Sequence, residues 1–120
     1  MATSEVRNNA SIVESGTSGI WKYRKWSDGT AECWGTSATI SPNFNSNYGN
    51  GFYAPAQTNQ NYPTGLFVDV PRIIVVPISG DGVYIGVSAI TKDGFAYYPY
   101  CNASGNHYVR WDCHAIGRWK

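Results

Sequence analysis

Residues 109–119 read VRWDCHAIGRW, and along this stretch apolar side chains alternate with polar ones. The apolar positions are Val109, Trp111, Cys113, Ala115 and Trp119. The polar positions, including the residue just before the stretch, are Tyr108, Arg110, Asp112, His114 and Arg118. A period of two is typical of a β-strand that packs one face against a core. We therefore predict a last strand over residues 106–119, with the apolar set buried.

The polar set carries both signs of charge. Such a stripe on a sheet is either solvated or paired with its own copies around a symmetry axis, and the sequence leaves both interpretations open. If the second holds, Arg110, Asp112, His114 and Arg118 are the candidate residues of a trimer interface.

An aromatic-rich hairpin precedes these elements near the N-terminus. Segments 20–26 and 30–36 are separated by Ser27-Asp28-Gly29, and Asp-Gly between two such segments is a strong hairpin signal. A two-residue type I′ turn centred on Asp28 and Gly29 would place Lys25 opposite Glu32. The same register pairs Trp26 with Ala31 and Tyr23 with Trp34.

The middle of the chain predicts further strands over 64–70, 72–78, 83–91 and 95–101, separated by Gly-containing turns. A last hairpin turning at Ser104-Gly105 would place Cys101 opposite Tyr108. The strand over 72–78 is apolar on both faces, so either a second subunit or the long segment 41–65 must cover its outer face.

The pattern as a whole predicts an all-β fold, an antiparallel β-sandwich of about six or seven strands, since no segment has a helical period. Residues 1–16 have no period and are expected to be a poorly ordered leader or stalk remnant, with order beginning near Gly19 and the binding domain spanning 17–120. The segment 41–65, rich in Asn, Gly, Pro and Tyr, is expected to be a long functional loop.

Composition narrows the class of function. Charged residues make up 14% of the chain and the net charge is +1, which favours neither nucleic acid nor an anionic membrane as partner. No apolar run is long enough to predict a membrane span, and residues 1–16 lack the apolar core of a signal peptide. The three cysteines, an odd number, are expected to be buried and reduced.

The sequence contains no clear pattern of catalytic or metal-binding residues. Cys113 and His114 are adjacent in a strand and point to opposite faces, so with Cys101 and His107 they do not make a zinc site, and we expect no metal or other cofactor. Among the acids Glu32, Asp69, Asp81, Asp93 and Asp112 no pair suggests acid–base catalysis, and no nucleophile-elbow motif is present. The chain is therefore not expected to be an enzyme.

The tyrosines are the best candidates for ligand contact. In 95–101 both parities carry Tyr, so at least one pair should reach the surface, where a tyrosine ring can stack on a sugar and its hydroxyl can form hydrogen bonds. We expect the binding surface at one end of the sandwich, on Tyr97, Tyr98, Tyr100 and His107, with Tyr53 from the long segment. Core packing is the alternative role for these rings.

Several segments resemble a known family. Residues 16–21 (GTSGIW), 23–26 (YRKW), 31–35 (AECWG), 62–67 (YPTGLF) and 115–120 (AIGRWK) resemble the C-terminal domain of tail-fibre and baseplate proteins of phages and prophages of Gram-positive bacteria. The ending, with Pro71 before a β run and Gly94-Phe95 in the penultimate strand, is also similar to H-type lectins and lectin-like tail-fibre tips.

The resemblance implies a homotrimeric β-sandwich in a virion, made in the bacterial cytoplasm, that attaches to the host by binding a cell-surface glycan or polymer. It also implies the rest of the fibre or baseplate as a partner, and no cofactor. A structural trimerisation cap and a free-standing soluble lectin remain alternatives. A glycan-degrading enzyme is a further, less favoured alternative.

Overall fold

The computed structural model describes residues 10–54 and 58–120, and these residues contain twelve strands and no helix. In chain order the strands are β1 (Ile12–Ser18), β2 (Trp21–Trp26), β3 (Thr30–Thr36), β4 (Asn43–Phe44), β5 (Ser46–Tyr48), β6 (Gly51–Tyr53), β7 (Thr58–Asn61), β8 (Arg72–Ile78), β9 (Tyr84–Ser88), β10 (Gly94–Cys101), β11 (Gly105–Asn106) and β12 (Arg110–Arg118). Every strand pairing is antiparallel, so the predicted all-β antiparallel sandwich is confirmed. Over the same ranges no helix is long and apolar enough to cross a membrane.

The strands form two main sheets. The first sheet has the order β1-β2-β3-β12-β8. In the second sheet β10 is central: Tyr100 pairs with both Tyr84 of β9 and Tyr53 of β6, and Tyr97 pairs with both Val87 of β9 and Thr58 of β7. Strands β6 and β7 therefore follow one another along the same edge of β10, with β9 on the other edge. Strand β5 extends the sheet beyond β6, and β11 and β4 form a separate two-stranded ladder.

The main core lies where the two sheets face each other. Trp111 of β12 is 1% exposed, and its ring contacts Trp21 of the first sheet and Phe95 and Tyr97 of the second at centroid distances of 6.4, 5.6 and 5.5 Å. Val109, Cys113 and Ala115 are buried as predicted, and Trp119 is partly buried. The alternation along residues 109–119 therefore located the core correctly.

The first hairpin forms at the predicted place but in a different register. Lys25 pairs with Ala31, Arg24 with Glu32, Tyr23 with Cys33 and Lys22 with Trp34, one residue away from the predicted pairing. The turn has three residues: Gly29 N donates to Trp26 O at 3.0 Å, and Gly29 has a φ of 95°. A type I turn followed by a left-handed glycine uses one residue more than a type I′ turn, and this residue shifts the ladder.

The predicted hairpin between the last two long strands does not form. After Cys101 the chain leaves the second sheet, β11 pairs with β4, and β12 lies between β3 and β8 in the first sheet. Trp111 and Cys113 therefore reach the core from the first sheet and face the second sheet across it. Cys101 accordingly lies opposite Phe52, not Tyr108.

The segment 41–65 is not a structureless loop in the residues described. It contributes β4 to β7, and Gly49-Asn50 forms a two-residue turn between β5 and β6, with a φ of 58° at Gly49. The predicted strand over 64–70 is wrong. Leu66 N donates to Pro63 O at 3.2 Å around a left-handed Gly65, which leaves the consecutive residues Leu66 and Phe67 both buried, an arrangement that an alternating strand does not allow.

The N-terminal segment becomes ordered earlier than expected. Strand β1 starts at Ile12 and pairs along β2 as far as Ser18, so the expected start near Gly19 is wrong. Backbone pairing to an edge needs no apolar side chains, which is why a polar sequence can form this strand. Residues 1–9 of the expected leader lie outside the described residues, and the division at residue 17 stays a prediction.

Candidate functional site

The alternation of β10 divides the expected binding residues between two faces. Tyr97 points into the sandwich, is 7% exposed and packs against Phe95 and Trp111, so its assignment to a binding surface is wrong. Tyr98 and Tyr100 have the opposite parity and are partly exposed. Both parities of this strand are aromatic, so the sequence could not show which one faces the core.

Tyr98 and Tyr100 are joined on the outer face by three more tyrosines. Tyr53 and Tyr84 are the direct cross-strand neighbours of Tyr100 on its two sides. Tyr48, which is 61% exposed, meets Tyr53 and Tyr100 edge to face, with both centroid distances at 5.9 Å. We call this set the tyrosine platform: Tyr48, Tyr53, Tyr84, Tyr98 and Tyr100.

Two glycines allow rings of the platform to lie across the sheet. A Cβ atom at Gly86 would come within 2.5 Å of Cζ of Tyr98, and one at Gly51 would come within 2.1 Å of the Tyr100 hydroxyl. Each tyrosine therefore rests on a neighbouring strand where any side chain would displace it. The sheet thus carries aromatic surface that is partly fixed in place and still open to solvent.

His107 is not brought to the platform. Its Nε2 lies 2.9 Å from Ser104 O, its Nδ1 lies 3.5 Å from Asp81 Oδ2, and its ring packs on Phe44 at 5.8 Å. We expected His107 to lie beside Tyr100 because we predicted a hairpin between β10 and β12. Since β11 pairs instead with β4, His107 is drawn toward that ladder, where its observed contacts fix the loop.

Two platform residues were not among the expected binding residues. Tyr84 is 58% exposed and occupies an outward position of β9, and the sequence indicates this position because Val83, Ile85 and Val87 alternate with Tyr84, Gly86 and Ser88. Tyr48 could have been found from Gly49-Asn50, because a glycine followed by asparagine between two short β segments is a hairpin signal.

The candidate interface residues lie on the outer face of the first sheet. His114 Nε2 is 3.4 Å from Glu32 Oε2, the hydroxyl of Thr36 donates to Asp112 at 2.7 Å, and Arg118 bonds to Asp69. Arg110 is exposed on the same face.

The outer face of strand β8 is apolar beside them. Ile74 and Val76, the cross-strand neighbours of His114 and Asp112, are 65% and 49% exposed. A groove of about 350 Å³ lies here, lined by Ile74, Val76, Asp112 and His114 together with Trp34 and Thr36. The segment 41–65 therefore leaves this face uncovered in the residues described.

The cysteines have the environment of packing residues. All three are buried and free, and burial raises the pKa of the Cys33 and Cys113 thiols to about 12. Cys113 is buried while the adjacent His114 is exposed on the other face. Within 10–54 and 58–120 no group of three or more His, Cys, Asp or Glu side chains could hold a metal ion.

Comparison with known proteins gives a fold likeness. No family model and no curated protein matches the sequence. A solved structure of an N-truncated R1-type pyocin tail fibre matches with a TM-score of 0.62 at 12% identity, over 95% of this chain and 94% of that chain. A second structure, of the Pseudomonas aeruginosa R1 pyocin fibre comprising C-terminal residues 323–701, matches with a TM-score of 0.59 at 13% identity, over 95% of this chain and 31% of the longer one. The chain thus has a fold found in a tail fibre.

Proposed function

We propose that this chain is the receptor-binding tip of a phage-type tail fibre, and that it binds a cell-surface glycan or polymer without catalysing a reaction. The observation that carries the proposal is the tyrosine platform, which lies open on one face of a fold shared with a pyocin tail fibre. We also propose that it belongs to a virion and is made in a bacterial cytoplasm, and the same likeness supports a place in a tail. Origin in Gram-positive bacteria and similarity to H-type lectins stay predictions.

Tyrosine is well suited to this role. Its flat ring stacks on the C–H face of a sugar, its hydroxyl forms hydrogen bonds, and it has few rotatable bonds to immobilise. At Tyr98 and Tyr100 the supporting glycines restrict the rings before a ligand arrives, which lowers the cost of ordering them. A shallow platform of this kind should bind one saccharide with an affinity of about 1 mM.

We propose a homotrimer as the working assembly, with the outer face of the first sheet at the interface. The exposed Ile74 and Val76 supply apolar area, and Arg110, Asp112, His114 and Arg118 supply charges of both signs that copies of the chain can pair. Three platforms on one particle would raise apparent affinity by roughly 100-fold or more without new contacts.

The assembly is tested by light scattering of the purified chain. The parent should scatter as a trimer, and Ile74→Glu should release monomers because it buries an unpaired carboxylate in the contact. Val13→Glu is the matched control, because Val13 is also an exposed apolar strand residue, 53% accessible, but lies on β1 at the far edge of the same sheet. A monomeric parent would refute the proposed assembly.

A non-catalytic role agrees with the positions of the carboxylates. Glu32 pairs with Arg24, Asp69 with Arg118 and Asp93 with Lys92, and Asp81 faces His107. Each of these carboxylates lies within 3.5 Å of a basic side chain. Release of reducing sugar from a bound polysaccharide would contradict the proposal.

The binding site is tested on an array of bacterial surface polysaccharides, with Tyr98→Ala and Tyr100→Ala in protein shown to remain folded and assembled. Each substitution should weaken binding at least tenfold. Tyr108→Ala is the control, because Tyr108 is exposed but has no ring contact with the platform in the described residues. If both platform variants keep full binding, the site lies elsewhere; if the parent binds nothing, a structural cap becomes the better assignment.

A further inference from the structure

The two sheets differ completely in charge. Strands β5, β6, β7, β9 and β10 of the second sheet contain no Asp, Glu, Lys, Arg or His. Every strand of the first sheet contains at least one of them. The ladder of β4 and β11 has none. Among the described strands, all ionisable acids and bases of these types are therefore on the sheet opposite the tyrosine platform.

The groups that accompany the platform are hydroxyls and amides. Ser46 lies opposite Tyr53, and Ser88 and Asn59 lie on either side of Ala96, two residues along β10 from Tyr98. Asn61 continues the same face opposite Gly94. These side chains both donate and accept hydrogen bonds, as sugar hydroxyls do.

The turns beside the second sheet carry charged side chains, and each of these has a partner. Lys92 Nζ lies 3.2 Å from Asp93 Oδ1 in the turn before β10, and Asp81, before β9, lies 3.5 Å from the ring of His107. Lys92 is therefore paired with Asp93, and the carboxylate of Asp81 also accepts a hydrogen bond from Tyr108 N at 3.3 Å, so neither turn presents a free cation to an anionic ligand on the platform.

We infer that the ligand of the platform is an uncharged saccharide, of the neutral hexose type, and not a polymer carrying phosphate or carboxylate groups at the contact. The inference rests on the proposed function and specifies its ligand class. A phosphate or carboxylate placed against the negative faces of aromatic rings loses hydration, and among the described residues beside the platform it meets no unpaired cation to compensate the loss. A neutral sugar loses less and finds matching hydrogen-bond partners.

The test places a charge beside the platform and reverses its sign. Asn59 is exposed, and we compare Asn59→Lys with Asn59→Glu, using whichever array polysaccharide the parent binds most tightly, at about 20 mM salt, where charges are weakly screened. A neutral ligand should bind both variants with dissociation constants within about twofold of each other. Thr17→Lys and Thr17→Glu, at an exposed position of β1, are the matched control on the first sheet.

The outcomes separate this inference from the proposed function. If Asn59→Lys binds about fivefold or more tightly than Asn59→Glu, and salt of about 500 mM removes the difference, the ligand is anionic and the inference fails while the binding function stands. If Asn59→Glu binds more tightly than Asn59→Lys to the same extent, the ligand is cationic, and the inference of an uncharged ligand fails as well. If the parent binds no polysaccharide on the array, the proposed function itself fails, and the inference with it.

Discussion

Replacing Trp111 with alanine tests the packing of the sandwich. The side chain is 1% exposed, and burying about 200 Å² of aromatic surface is worth about 5 kcal/mol at 25 cal/mol per Å². Its Nε1 is buried without a hydrogen-bond partner in the described residues, and removing that unsatisfied donor returns about 1 kcal/mol. We expect Trp111→Ala to lower the free energy of unfolding by about 4 kcal/mol, within the 3–5 kcal/mol range typical of emptied tryptophan sites.

The assay is urea denaturation followed by far-ultraviolet circular dichroism, at one protomer concentration because assembly contributes to apparent stability. Tyr108→Ala is the matched control. Tyr108 is 44% exposed and belongs to neither the platform nor the proposed interface, and its hydroxyl accepts a hydrogen bond from Gly80 N at 2.8 Å, so its loss should cost about 1 kcal/mol. If Trp111→Ala unfolds at the urea concentration of the parent, the core has been placed wrongly.

Further expectations concern the buried thiols and the backbone. Because burial holds the pKa of Cys33 and Cys113 near 12 in the folded chain, the unfolded chain releases these protons first, and stability should fall between about pH 9 and pH 12 by about 1.4 kcal/mol per pH unit for each thiol. Replacing both cysteines with serine should reduce this dependence of unfolding free energy on pH, measured by alkaline denaturation. If the dependence is unchanged, other titrating groups cause it. Ala89 has a φ of 50°, so Ala89→Gly should raise stability by about 0.5 kcal/mol in the same urea assay, whereas a loss would mean that glycine's extra freedom in the unfolded chain outweighs the strain. Gly86→Ala should displace the ring of Tyr98 and weaken polysaccharide binding as Tyr98→Ala does, while Gly80→Ala, which meets the hydroxyl of Tyr108 instead, should leave binding unchanged.

Alternation was the most informative feature of the sequence. It located the buried side of β12, because a period of two is a local property of the strand itself. The extents of β3 and β8 were predicted instead from the turn signals beside them. Pairing partners were harder to predict. One extra turn residue at Gly29 moved the first ladder, and β12 pairs with β3 and β8, which are distant from it in the sequence.

The candidate site was only partly predictable for the same reason. Tyr98 and Tyr100 could be proposed from their own strand, but their position relative to Tyr97 required knowing which face of β10 met the core. Tyr53 joins the platform through cross-strand pairing, and His107 leaves it because β11 pairs with β4. Local patterns thus predicted candidate binding residues, and the pairing of distant strands determined which of these residues lie together.

The hairpin of β5 and β6 is attached to the second sheet through a short ladder, in which Tyr53 and Phe52 pair with Tyr100 and Cys101. Its free side, with Tyr48 and the Gly49-Asn50 turn, is exposed and contributes little to the main core. Exposed loop tips of this kind tolerate insertion and substitution far better than packed strands do. If the platform recognises a host surface, the hairpin is where lineages can diverge in host range, since its length and sequence can change while the sandwich beneath it is inherited intact.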